Sequence, residues 1–118
     1  MPLSHHQRKR QLMAEKSPRR LMLEASLAED PVDSFLRYGL AVQCLREGDL
    51  AEGRQRLLAL IADHPGDQVA SHQMLGQSYA ENGEVEEAKA ILGAGITLAN
   101  KRGDQHAAGE MEGLRSQL

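Results

Sequence analysis

The fold is decided by two stretches that say nearly the same thing: "REGDLAEGRQRLLALIADHPGD", Arg46 to Asp67, and "ENGEVEEAKAILGAGITLANKRGD", Glu81 to Asp104. Laying Gly48 on Gly83 sets a step of 35 residues. At that step Leu40 meets Leu75, Ala41 meets Gly76, Glu52 meets Glu87, Gly53 meets Ala88, Leu57 meets Leu92 and Ile61 meets Ile96. Self-similarity at a fixed step of this size marks supersecondary units laid side by side.

Each unit reads as two helices. In the first, Asp33 is placed to cap a helix over about 34–47, with Leu36, Leu40 and Cys44 four apart on one face. Gly48 ends it, since glycine takes the left-handed turn freely. Asp49 opens the next helix, and Glu52 three residues on predicts a capping box. That helix carries Leu50, Leu57, Leu58, Leu60 and Ile61 and stops before Pro65, because the residue ahead of proline is driven out of helical geometry. The second unit repeats the plan, with helices over about 69–82 and 85–100 on either side of Gly83. Two-residue turns force such helices antiparallel and close. The recurring small residues, Ala41 and Gly53, then Gly76 and Ala88, fall where the backbones approach.

Composition agrees. A chain of 118 residues is one domain by size, and aromatics at 3% with no tryptophan require an aliphatic core. The single cysteine, Cys44, excludes an internal disulfide and a cysteine-cluster zinc site, and suits a reducing, cytoplasmic location. No apolar run is long enough to span a membrane, and the basic N-terminus lacks the apolar run of a secretory signal. Residues 1–20 hold six Lys/Arg and one acid, so a basic head precedes an acidic body.

Taken together, the motif positions resemble the tetratricopeptide repeat, a family with a period of about 34 residues. Residues 34–67 supply Leu40, Ala41, Cys44, Gly48, Asp49, Gly53, Leu57 and Pro65; residues 69–102 supply Leu75, Gly76, Tyr79, Gly83, Glu84, Ala88, Leu92 and Gly95. Arg37 and His72 depart from the aromatic usual early in the first helix. Leu60 departs from a small position, with Gly53 expected to offset its volume, and Asn100 stands in place of the terminal proline. The resemblance implies an all-α superhelix, a solenoid of about six antiparallel helices. Its parts are a basic, flexible tail over 1–16, a half-repeat helix over 17–31, repeats over 34–67 and 69–102, and a capping helix over 104–118. Ser17 and Pro18 open the half-repeat, whose stripe is Leu23 and Leu27; Ala107, Met111, Leu114 and Leu118 form the inner face of the cap.

The resemblance also implies a ligand surface on the concave face built by the first helix of each pair. The corresponding positions are Phe35, Tyr38, Val42, Leu45 and Arg46 in one unit and Gln73, Met74 and Gln77 in the other. The first set is more apolar than a solvated face requires, and fits a helix or peptide of a protein partner. Family members that grip a C-terminal carboxylate use a basic clamp; Tyr38, Val42, Met74 and Gln77 supply none, so that ligand is not expected. The expected function is therefore a non-catalytic interaction module or adaptor. The alternatives are a homodimer formed by that surface and attachment to nucleic acid or a membrane surface by the basic segment around "HHQRKR", with Lys16, Arg19 and Arg20. No catalytic constellation, cofactor motif or metal-ligand spacing is present: His5, His6, His64, His72 and His106 match no ligand pattern, and Asp63-His64-Pro65 reads as a helix end.

Overall fold

In a computed structural model, the described residues are Pro2, Ser4, His5 and 15–118. Among these, six helices follow in order: α1 (Pro18–Glu29), α2 (Ser34–Arg46), α3 (Leu50–Asp63), α4 (Val69–Glu81), α5 (Val85–Lys101) and α6 (Gln105–Ser116). The described residues contain no strand, and adjacent helices pack on one another. The fold class is all-α, as the periodicity predicts. The expected tail over 1–16 lies outside the described residues except at Pro2, Ser4, His5, Glu15 and Lys16; Lys16 Nζ lies 2.9 Å from Glu24 Oε2.

The helix boundaries follow from local chemistry. Ser17 Oγ accepts the Arg20 N–H at 3.0 Å, with Pro18 in the first turn, and Asp33 Oδ1 accepts the Leu36 N–H at 3.0 Å. Gly48, Gly83 and Gly103 have φ of +82°, +73° and +76°. After each, the next N–H reaches back five residues to a helical carbonyl: Asp49 to Cys44 at 2.9 Å, Glu84 to Tyr79 at 2.9 Å and Asp104 to Ala99 at 2.8 Å. This one turn, used three times, satisfies carbonyls that a helix end leaves open.

Two compact units result, residues 1–53 and 54–118, with the division inside α3. In the first, α1 folds back along α2. Ser17, at the start of α1, bonds Glu47, at the end of α2, through its hydroxyl (2.7 Å) and its backbone N–H (3.1 Å). Leu23 lies over Gly39, and Leu40, Ala41 and Cys44 are fully buried. The first turn of α3 closes on α2 at Gly53. A Cβ there would fall 2.6 Å from Leu45 Cδ2 and 3.1 Å from the Ala41 carbonyl. Gly53 therefore makes room for Leu45, which corrects the expectation that it offsets Leu60.

The second unit has the larger aliphatic core. Val69 of α4, Leu92, Ile96 and Ala99 of α5, and Ala107, Ala108 and Met111 of α6 form one cluster, with Leu114 and Leu118 partly buried against it. Close helix approach needs glycine twice here. At Gly76 a Cβ would meet Leu92 Cγ at 2.6 Å. At Gly95 it would meet Met111 Sδ at 2.7 Å and His72 Cβ at 2.8 Å. His72 is itself buried, with Nδ1 2.7 Å from the Gln68 carbonyl. The expected cap, α6, starts 36 residues after α4, as α4 starts 35 after α2. It thus keeps the rhythm of a first helix while covering α5.

Candidate interaction site

Within the first unit, α2 uses one side against α1 and another against the start of α3. The side left open carries Phe35, Tyr38, Val42 and Arg46, which the helical period brings into one strip. Phe35 is 87% exposed. Tyr38 and Val42 are half-buried and Arg46 is exposed. Burial raises the Tyr38 phenol above its ordinary pKa, against a smaller downward pull from the Arg46 charge, so the hydroxyl is a protonated donor and acceptor. The strip sets an aromatic, a phenol and a cation around Val42, and tyrosine and arginine are residue types that anchor protein contacts. Leu45 does not belong to it. Its side chain fills the space over Gly53 and joins α2 to α3, a role set by the missing Cβ 8 residues along the chain.

The positions expected from α4 lie in the second unit and are already engaged in polar contacts. The Gln73 amide donates to Glu110 Oε2 of α6 at 2.7 Å, and the Gln77 amide donates to Glu81 Oε1 at 2.9 Å. Met74 between them is half-buried. Glu110 is also paired with His106 one turn before it.

Sequence reasoning missed a polar cluster in the first unit. Arg20, expected among the cations of the basic segment, is only 2% exposed. Its Nη2 donates to Asp49 Oδ2 at 2.9 Å and lies 3.0 Å from Glu52 Oε1, while its Nη1 lies 3.9 Å from Glu47 Oε1. Nε, 3.6 Å from Glu24 Oε2, makes no hydrogen bond. Burial pulls the guanidinium pKa down. The Asp49 bond and the charges around it, Glu52 and Asp49 among them, push it further up, so the net position is above the ordinary value. This permanent cation ties α1 to the α2–α3 turn and is withdrawn from any phosphate. One half of the predicted capping box is formed at the start of α3. Asp49 Oδ1 accepts the Glu52 N–H at 3.3 Å, and the Glu52 carboxylate faces Arg20 and accepts the Cys44 thiol at 3.4 Å.

Glu47 is held beside this cation by three donors: the Gln43 amide (2.9 Å), the Ser17 hydroxyl and the Ser17 N–H. Burial raises its pKa, and those bonds with the Arg20 charge lower it more, leaving it below the ordinary carboxylate value. The second unit has its own version of the arrangement. Arg54 Nε donates to Ser78 Oγ at 3.1 Å and Nη2 to the Ser78 carbonyl at 3.2 Å. Nη2 also lies 2.6 Å from Glu84, and the guanidinium carbon is 4.6 Å from the centre of the Tyr79 ring. Arg20 precedes Arg54 by 34 residues, the same step that separates Pro31 from Pro65. That coincidence was the available signal for a structural role of Arg20.

No family model, curated protein or solved structure matches the chain. No helix among the described residues is long and apolar enough to cross a membrane.

Proposed function

We propose that the chain is a tetratricopeptide-like interaction module, a non-catalytic adaptor of the cytoplasm that captures a helix or extended peptide of a protein partner. The repeat at 35 residues and the three identical glycine turns support the repeat assignment. The observation that carries the function is the open strip of α2, above all Phe35 at 87% exposure beside half-buried Tyr38 and Val42. An aromatic side chain in water at the edge of an apolar strip gains by desolvation against a partner. Arg46, at the far end of the strip, adds a cation that favours a partner with an acidic residue in register. Cys44, a buried thiol outside any disulfide, accords with a reducing compartment.

The test is affinity capture from the source cells with the full chain and a Phe35→Asp/Arg46→Glu variant. Both positions are exposed, so far-UV circular dichroism should be unchanged while the partner is lost. Equal capture by both proteins would remove the strip from consideration. Leu45→Asp is unsuitable, because it would place a carboxylate against Gly53 and disturb the fold.

A further inference from the structure

Helix α1 carries apolar residues on both its packed and its open side. Its packed side carries Arg20 and Glu24 with Leu23 and Leu27, and Arg20 is its one fully buried residue. Its open side, at 100° per residue, carries Pro18, Leu21, Met22, Ala25 and Ala28, with Glu29 at the end. Leu21 is 52% and Met22 61% exposed, and Val32, just beyond the helix, is 80% exposed. A helix that buries its arginine and offers leucine and methionine to water has an outer face made for contact.

We propose that this face pairs with the same face of a second copy of the chain, α1 against α1 in antiparallel orientation about a two-fold axis near Ala25. The face is self-complementary in shape. With Ala25 at the centre, the bulky Leu21 and Met22 of one copy lie over the small Ala28 and the exposed Val32 end of the other, and the alanines let the backbones approach. It is self-complementary in charge as well. Arg19 is exposed at one end of the helix, and Glu29 and Asp30 are exposed at the other. Antiparallel pairing sets each Arg19 beside the acids of the opposite copy, twice over, whereas parallel pairing would set like against like. A 12-residue helix is about 18 Å long. The contact is therefore smaller than a permanent interface, and the dimer is a reversible one. The pairing uses none of the α2 strip and stands apart from the capture of another protein.

Sedimentation equilibrium of the full chain from about 5 to about 500 µM, a range that brackets such a contact, tests it. The wild type should show a concentration-dependent monomer–dimer equilibrium. Ala25→Asp should weaken it by on the order of tenfold or more by burying like charges at the axis. Arg19→Glu should weaken it less, and adding Asp30→Arg to Arg19→Glu should restore it. Circular dichroism controls for folding; all these positions are exposed. A chain that stays monomeric throughout, whether because its own N-terminal residues or another protein cover α1, overturns the proposal. A dimer that survives Ala25→Asp, or is lost only with Phe35→Asp, also overturns it. Failure of Asp30→Arg to rescue overturns the antiparallel arrangement.

Discussion

The two compact units treat apolar surface in opposite ways. Residues 54–118 turn it inward: the core of α4, α5 and α6 is aliphatic and the one large apolar side chain exposed there is Leu58, at 45%. Among the described residues, the first unit, residues 1–53, buries only Leu40, Ala41 and Cys44 of its apolar side chains, and exposes Leu21, Met22, Val32 and Phe35. What the first unit lacks in aliphatic core it makes up with charge, through Arg20 and the carboxylates around it. Arg54 in the second unit is more exposed, and rests on a tyrosine ring and a serine rather than inside a ring of acids. One half of the chain thus rests on aliphatic burial. The other is built to hold apolar residues outward, and uses a polar clasp to do so.

That contrast can be broken most sharply at the two arginines. Arg20→Ala removes a buried cation and leaves its carboxylates clustered, which should cost about 4 kcal/mol; Arg54→Ala should cost about 1 kcal/mol, as expected for a partly exposed pair with a cation–π contact. Urea unfolding gives the magnitudes, and amide exchange should localise the first loss to α1 and α2. Equal losses would dissolve the distinction. Leu92→Ala should cost about 3 kcal/mol through the cavity it leaves against Gly76, with exchange rising in α4–α6 and not in α1.

A smaller effect comes from pH. The folded pKa of Glu47 is lowered from its unfolded value near 4.5, so its contribution is full above that value and disappears as pH falls through the folded pKa. Wild type should therefore exceed Glu47→Gln in stability at pH 7, and the gap should narrow below pH 4.5. A gap independent of pH would mean that the Ser17 and Gln43 bonds act without the charge. The smallest change is a gain. Gly113 lies within α6 with open space at its Cβ position, so Gly113→Ala should add about 0.5–1 kcal/mol in thermal unfolding.

The helices were legible because their signals are local. Asp33, Ser17 and Pro18 mark starts, Gly48 and Gly83 mark ends, and every boundary falls within about two residues of its expected place. The strip Phe35, Tyr38, Val42 and Arg46 was legible for the same reason, since it follows the helical period. Leu45 was misplaced because its environment is made by the missing side chain of Gly53, on another helix. Arg20 was misread because its local neighbourhood is basic, while the acids that bury it arrive 27 to 32 residues later in the chain. Burial of a charge depends on partners that only the folded chain brings together, and the 34-residue echo at Arg54 was its sole trace in the sequence.

Site-specific photocrosslinking in the source cells puts the division of labour to its most direct test. A benzoylphenylalanine is placed at position 35 in one protein and at position 58 in another. An adduct with a distinct protein partner from position 35, and none from position 58, is the predicted result. Adducts of equal yield from both positions, or from position 58 alone, would contradict the assignment of partner contact to the first unit.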